Sequence, residues 1–384
     1  MKILLVASQF PPASFGGVSY VSYNLFNSFI KQGHDPTVLA FGNVVDFKHN
    51  EHVVRLGSSP ITFLLQSYRY TKRLDLRRYD VIFIQHSSGA GLIPWLKRLS
   101  HPNVVSIIHV STLREMLAIR DSIDENDCTI GSPTIDEYLI KYVNSPVLLF
   151  LERYVYRSAR RLIGVCEETT KLAIDDYGIH PNKIKTITNG VDIETFRYRR
   201  DISESRSIRR VGKKSLLFVG VLRKSRKGAY YLIEAFRHLR RQRNDIDLII
   251  VGDGGHHFRI RDKINRYGLN QAVSFCGKIN NAELPYYYSQ ADVVVVPSVY
   301  EGLPLVILES LACGTPVATT AVSGQREVIN KNNGVLLGPY HPETWSQSII
   351  GLIEQDLDRS EVRKTVTHLN WDRIAQEYLT WATA

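Results

Sequence analysis

Two carboxylates frame the chemistry open to this sequence. Glu301 and Glu309 stand eight residues apart in PSVYEGLPLVILESLACGTP, residues 297–316. A Gly302-Leu303-Pro304 turn and a short apolar run separate them, and the small residues Ala312, Gly314 and Thr315 follow. The preceding run ADVVVV ends at Val296 and reads as a strand, so the stretch reads as strand, glycine-bearing loop and helix. Such junctions are common ligand sites in α/β folds. Two acids also suit the acid and nucleophile of a glycoside hydrolase. Against a hydrolase, basic and glycine-bearing loops elsewhere point to a phosphate. VLRKSRKG, residues 221–228, carries Arg223, Lys224, Arg226 and Lys227 just before a helical pattern. A point charge, guanidinium forks and helix N-terminal N–H groups together seat a pyrophosphate, although a merely solvated basic turn has the same composition. Gly252 to Gly255 form a GDGG turn after the strand DLIIVG, without the spacing of GxGxxG.

The elements that position these residues are short apolar strands alternating with amphipathic helices. ILLVAS, residues 3–8, opens the chain as a buried strand rather than as the core of a signal peptide. A loop brings Gly16-Gly17 to the start of a helix over about 18–32, where glycines let the backbone approach a ligand or simply make a tight turn. Gly33 closes that helix. Residues 62–79 read as an amphipathic, arginine-rich helix, either a solvated face or a surface for an anionic membrane. NVVSIIH, residues 103–109, delivers His109 at the carboxyl end of a strand, the end where α/β sheets bind ligands. The polar stretch 120–146 reads as an insertion or loop. Asn189-Gly190 marks a turn. Eight basic and two acidic residues between Arg197 and Lys214 mark a polar linker, and βα repeats resume beyond it. The final pattern, WDRIAQEYLTWAT, lines up Trp371, Ile374, Tyr378 and Leu379 as one apolar stripe.

Size and composition set the bounds. A chain of 384 residues favours two domains, and 44% apolar with 22% charged residues describes a globular protein with no apolar run long enough to span a membrane. The expected division is residues 1–205 and 206–365, with 366–384 as a helix crossing back to the first domain. The formal net charge of +10 suits an anionic partner. The basic residues are scattered and no aromatic-basic module appears, so nucleic acid is not the expected one. Cys128, Cys166, Cys276 and Cys313 make no CxxC pair, which argues against a zinc knuckle; Cys276 and Cys313 read as core thiols. No Asp-x-Asp segment stands at the carboxyl end of a strand to hold a metal.

Taken in order, these pieces resemble the retaining glycosyltransferases of family 4 (glycosyl transferases group 1), which have the GT-B fold. The resemblance rests on Gly16-Gly17, His109, Asn189-Gly190-Val191-Asp192 with Phe196, Lys227-Gly228, Gly252-Asp253-Gly254, Glu283-Leu284, Pro297-Ser298 and Glu301-x7-Glu309 followed by Ala312 to Pro316. It implies two Rossmann-like α/β domains facing a central cleft, an N-terminal acceptor-binding domain and a C-terminal sugar-nucleotide-binding domain. It also implies transfer of a hexose-type sugar from a UDP-, GDP- or ADP-sugar to a glycan or lipid-linked acceptor, with no cofactor or metal. By resemblance Glu309 accepts from the ribose hydroxyls, Glu301 lies near the donor sugar, Lys227 holds the diphosphate and His109 contacts the sugar from across the cleft. Arg223, Gly252 and backbone N–H groups at Gly16, Gly17 and in the Leu303-Pro304-Leu305 loop complete the cradle. A cytoplasmic enzyme of cell-envelope or exopolysaccharide assembly is implied, with peripheral contact on the inner face of the membrane.

The sequence departs from the family at four places. Val221 stands where many members have an arginine on the diphosphate, leaving Arg223 or Arg226 to supply that charge. Pro304 removes a backbone N–H that the common glycine offers. Cys166 replaces a serine, and Ser323-Gly324 replaces a glycine pair. Val221 keeps open a catalytically inactive scaffold or regulatory relative.

Overall fold

Runs such as Val293–Val296 are too short for a buried helix and rich in β-branched residues, and they fold as buried parallel strands. The computed structural model describes residues 1–12, 16–42, 52–57, 60–115, 117, 145–199, 208, 210–222, 227–254 and 257–384. Two compact units emerge. The first comprises Met1–Leu113, Ile135–Gly190 and Trp371–Ala384, and the second is built on Val191–Asn370.

The first unit holds β1 (Lys2–Val6), β2 (Asp35–Ala40), β3 (Val53–Arg55), β4 (Val81–Gln85), β5 (Val104–Ile108), β6 (Arg161–Gly164) and β7 (Ile184–Thr186). Their order in the sheet is β3-β2-β1-β4-β5-β6-β7, and every pairing is parallel. The second unit holds β8 (Lys214–Val219), β9 (Ile246–Val251), β10 (Val273–Gly277), β11 (Val293–Val296), β12 (Val317–Thr320) and β13 (Gly334–Leu337), in the order β10-β9-β8-β11-β12-β13, again all parallel. In each sheet the chain starts in the middle, builds to one side, then returns and builds to the other. The reversal lies between β1 and β4 in the first unit and between β8 and β11 in the second. Connections on the two sides of a reversal leave in opposite directions, which opens a crevice at the carboxyl ends of those strands.

Three differences from the sequence reading have physical causes. The chain leaves the first unit at Gly190, not at 205, because Val191 and Phe196 are buried in the second unit's core beside Tyr288 and Leu308. The helix expected over 62–79 stops at Thr71. Asp75 accepts from the backbone N–H of Arg77 at 3.1 Å and starts a separate 3-10 turn, Leu76–Arg78, instead of continuing the helix. Cys313 is fully buried, as read, but Cys276 is only half-buried. Residues 120–144, Cys128, Arg223 and Arg226 lie outside the described residues. Among the described residues no helix is long and apolar enough to cross a membrane.

The last helix, Trp371–Thr383, packs within the first unit. Its Asp372 accepts from Ser28 Oγ at 3.0 Å and pairs with Lys31, both on the helix Gly17–Lys31. Trp381 Nε1 donates to the Leu162 carbonyl at 2.9 Å, and the Tyr378 ring lies 5.8 Å from that of Phe83 on β4. The Tyr378 hydroxyl is buried and has no hydrogen-bond partner among the described residues. Tyr378→Phe is therefore expected to hold or raise stability, by up to about 1 kcal/mol, since it deletes a desolvated hydroxyl. Tyr378→Ala is expected to cost about 3–5 kcal/mol through the cavity it leaves. Urea denaturation of the two variants checks both signs.

Candidate functional site

In the second unit the loop after β8 and the loop after β11 meet at the reversal point. Glycine makes the meeting possible. Gly228 has φ +70, and a Cβ on it would lie 1.8 Å from the carbonyl oxygen of Pro297. Its neighbour Lys227 is thereby brought to Glu301, with Nζ 2.6 Å from Oε1 in a largely buried ion pair. An ammonium has three donors, so Lys227 can hold Glu301 and still bind a second acceptor group. Gly228 also precedes the helix Ala229–Gln242, whose first backbone N–H groups have no intrahelical partner. A cation, a carboxylate and a helix N-terminus thus stand together, a set suited to an anion that carries hydroxyl groups.

Glu309 lies within the next helix, Leu305–Ala312, and is buried. Tyr288 donates its hydroxyl to Glu309 Oε2 at 2.8 Å. Burial pushes the Glu309 carboxyl up to about 7, and the Tyr288 hydrogen bond only partly opposes that rise. Leu303, Pro304 and Leu305 form the entry to this helix, with Pro304 as its N-cap. Gly252 has φ +136, and a Cβ there would lie 1.8 Å from the Gly220 carbonyl. The glycine is required by contact between the ends of β8 and β9, whatever else approaches it. Val221, at the end of β8, is exposed.

The first unit presents a different set at the ends of β1, β4 and β5. His109 is buried and hydrogen-bonded to the Gln85 side chain. Its ring lies 5.0 Å from that of His86, which leaves β4 at φ 49. A non-glycine residue in that region stores about 1–3 kcal/mol of strain. His86 Nδ1 lies 3.3 Å from the Tyr156 hydroxyl. Burial, with His86 alongside, holds the His109 imidazole well below the usual histidine range, so it is neutral near pH 7. Ser88, two residues after His86, donates to Ser8 at 2.9 Å. Below lies a buried carboxylate: Glu152 accepts from Thr112 and, at 2.6 Å, from the Tyr177 hydroxyl. Gly16 and Gly17 stand at the start of the helix Gly17–Lys31, where Gly16 is extended at φ 179 and neither glycine has an atom within 4 Å of an added Cβ. Packing among the described residues does not demand glycine at either position.

The structure thus joins Lys227 to Glu301, and it joins Glu309 and His109 to partners that the sequence reading missed. Tyr288, Gln85, His86 and Glu152 carry no motif. Tyr288 is one of three successive tyrosines, and only the helical register shows which of them is buried.

Comparison with known proteins gives these features a context. The family model for glycosyl transferases group 1 matches residues 200–368, and that for glycosyltransferase family 4 matches residues 15–195. An uncharacterized glycosyltransferase of Methanocaldococcus jannaschii is 28% identical over 98% of this chain and 96% of its own length. A D-inositol 3-phosphate glycosyltransferase of Paenarthrobacter aurescens is 32% identical, over 58% of this chain and 57% of its own. Among solved structures, sucrose-phosphate synthase from Thermosynechococcus elongatus superposes with a TM-score of 0.79 at 21% identity, covering 99% of this chain and 97% of that one. Anabaena HepE in complex with UDP-glucose superposes at 0.76 with 20% identity, over 99% and 98%. WaaG, a glycosyltransferase involved in lipopolysaccharide biosynthesis, superposes at 0.69 with 19% identity, over 99% and 95%. These structures share the two-domain GT-B fold.

Glu309 supplies a pH test. Its folded-state value of about 7 lies above the ordinary glutamate value. The folded protein therefore binds the proton more tightly, and the stability this gives is present in full near pH 4 and lost as pH rises through about 7. The total is about 3 kcal/mol. Glu309→Gln is expected to remove this slope, so that the variant's advantage in melting temperature over the parent grows between pH 5 and pH 8. Parallel melting curves would show no such growth if Glu309 were an ordinary carboxyl.

Proposed function

The chain belongs to glycosyltransferase family 4, the group 1 glycosyl transferases with the GT-B fold, and on that premise we propose that it moves a hexose-type sugar from a nucleoside-diphosphate sugar to a hydroxyl of a glycan or lipid-linked acceptor, with retention of configuration. The observation that carries the reading is the Lys227–Glu301 pair, set beside a helix N-terminus at the reversal point of the second sheet. As the bond from the anomeric carbon to the diphosphate breaks, its electron pair goes to the phosphate oxygen. Lys227 and the N–H groups at the start of Ala229–Gln242 hold the growing charge, which is usually the largest catalytic contribution. Glu301 accepts from hydroxyls of the departing sugar, and ionised Glu309 accepts from the ribose. His109, neutral and braced by Gln85, is suited to a sugar hydroxyl. The acceptor oxygen forms the new bond to the anomeric carbon, and its proton passes to the leaving phosphate on the same face. The protein supplies no covalent nucleophile in this scheme. Lys227 and the helix N–H groups provide the counter-charge, so activity is expected to persist in a chelator.

Three relatives support the substrate classes. HepE has been solved with UDP-glucose, WaaG is involved in lipopolysaccharide biosynthesis, and a glycogen synthase of Mycobacterium tuberculosis is 25% identical over 98% of this chain. A UDP-, GDP- or ADP-sugar and a role in cell-envelope or exopolysaccharide assembly accord with them. The helix Pro60–Thr71 exposes Leu65 and Tyr68 beside Arg69, with Lys72 and Arg73 just beyond its end. Exposed apolar and basic side chains on one helix suit peripheral contact with an anionic membrane on the cytoplasmic side.

The test is a panel of labelled UDP-, GDP- and ADP-sugars, each with and without membrane lipid extract. One sugar nucleotide should give turnover that needs acceptor, and Lys227→Met should lower kcat by about 100- to 1000-fold. Failure to bind any sugar nucleotide would instead favour an inactive scaffold. Sugar trapped covalently on Glu301 or His109 would defeat the mechanism.

A further inference from the structure

Beside the Glu301 loop lies a buried hydrogen-bond cluster that no step above uses. Thr319 Oγ1 donates to the Val296 carbonyl at 2.8 Å, and Thr320 Oγ1 donates to the Ser298 carbonyl at 2.6 Å. Both hydroxyls also lie against the side-chain amide of Gln325, that of Thr320 at 3.3 Å and that of Thr319 nearer. Gln325 is fully buried, and so is Thr319.

Proton bookkeeping orients the amide. A hydroxyl has one proton, and a carbonyl oxygen only accepts, so each threonine has spent its proton on Val296 or Ser298. With Oε1 toward the threonines, each hydroxyl would need a second proton, and Nε2 would be buried with no acceptor among the described residues. The two ends of an amide have the same shape and are told apart only by their partners. Turned over, Nε2 has two protons for two hydroxyl acceptors, and every proton in the cluster is used. The amide oxygen then takes the place of a nitrogen that had no acceptor among the described residues, and an under-used carbonyl is tolerated better than a buried N–H.

In this orientation Gln325 heads two relays. One runs through Thr319 to the carboxyl end of β11. The other runs through Thr320 to Ser298, three residues before Glu301. A third tether comes from the adjacent residue, whose Gly324 N–H donates to the Gly302 carbonyl at 3.1 Å. Glu301 therefore sits between two fixed points, 298 and 302, both held from the Ser323–Gln325 turn. Ser323 adopts φ 44 in that turn, a left-handed conformation that strains a non-glycine residue.

We infer that Gln325, acting as a donor through Thr320, is a positioning residue that sets the Glu301 carboxylate against Lys227. The inference rests on the proposed role of Glu301 at the donor sugar. Gln325 does not touch the substrate. Its effect falls first on the contact of Glu301 with the reacting sugar and leaves Glu309 in place, because Glu309 is braced by Tyr288 from a separate helix pair.

Two sets of variants of the full chain test this. Gln325→Glu removes both donors, so the threonines must turn to the new carboxylate and release their carbonyls. Thr320→Val cuts one relay with the same shape, and Thr320→Ser keeps it. With the sugar nucleotide that the panel identifies, and at a temperature well below every melting point, Gln325→Glu and Thr320→Val should lose kcat on the order of 100-fold. Any loss of affinity for the bare nucleoside diphosphate, felt only through Lys227, should be much smaller than the loss of kcat, and Thr320→Ser should match the parent. Equal kcat in Thr320→Val and the parent overturns the inference. So does a loss of nucleotide affinity as large as the loss of kcat, which would mark a general structural role. The amide orientation has its own readout: both side-chain N–H protons of Gln325 should exchange slowly in a nitrogen-15 spectrum. Fast exchange overturns the inference, whether or not the chain turns over a sugar nucleotide.

Discussion

The second unit depends on one close approach, the carbonyl of Pro297 against the α-carbon of Gly228. No side chain of any kind fits between them. The contact ties the loop after β8 to the loop after β11, which the topology already makes neighbours. Lys227 and Glu301 come within 2.6 Å, with Gly228, next to Lys227, in backbone contact with Pro297, four residues before Glu301. The same device recurs one strand away, where Gly252 lies against Gly220 and closes the end of β9 on that of β8. Backbone-to-backbone contact is stiffer than contact between long side chains, and it sets charged groups without relying on their rotamers. An ion pair built this way costs less side-chain entropy than one formed by two free surface residues.

The two carboxylates, eight residues apart, receive opposite environments. Glu301 faces an ammonium. Glu309 faces a phenol and apolar side chains, and its carboxyl titrates near 7. Neighbouring acids in different environments permit different tasks at one pH. A carboxyl poised near 7 costs little to leave neutral and becomes a strong acceptor once hydroxyl groups donate to it, because such donation favours the charged form. The burial that raises the proton affinity of Glu309 also strengthens any hydrogen bond its carboxylate accepts.

The sheets were legible in the sequence because buried parallel strands are short continuous apolar runs, and ILLVAS, VVVV and DLIIVG have no other natural reading. Helix ends were less legible. Asp75 stops the helix after Thr71 through a side-chain hydrogen bond that competes with helix formation, and periodicity carries no sign of it. Lys227, Glu301 and Glu309 stand out in the sequence because motif and charge coincide there, and the structure pairs the first two. Their partners do not stand out, since Tyr288, Gln85 and Gln325 are ordinary residues that acquire a role only through register and packing. Gly252 shows the converse. A glycine that looked reserved for a ligand is required by the protein's own backbone, whereas Gly16 and Gly17, equally plausible as plain turn residues, have open space around them.

The two units place chemically different groups at the same topological position. At the strand ends of the first unit stand hydroxyls, an amide and imidazoles: Ser8, Ser88, Gln85, His86 and His109, with His109 kept uncharged by burial. At those of the second stand an ammonium and two carboxylates. Neutral polar groups recognise hydroxyls by direction and exert little pull on a diphosphate, while a cation beside a helix N-terminus does the opposite. A fold that repeats one crevice can thus separate a neutral substrate from an anionic one by side-chain choice alone. The formal charge of +10 for the whole chain does not report this separation, because it counts Lys227 the same as an arginine on the exposed helix Pro60–Thr71.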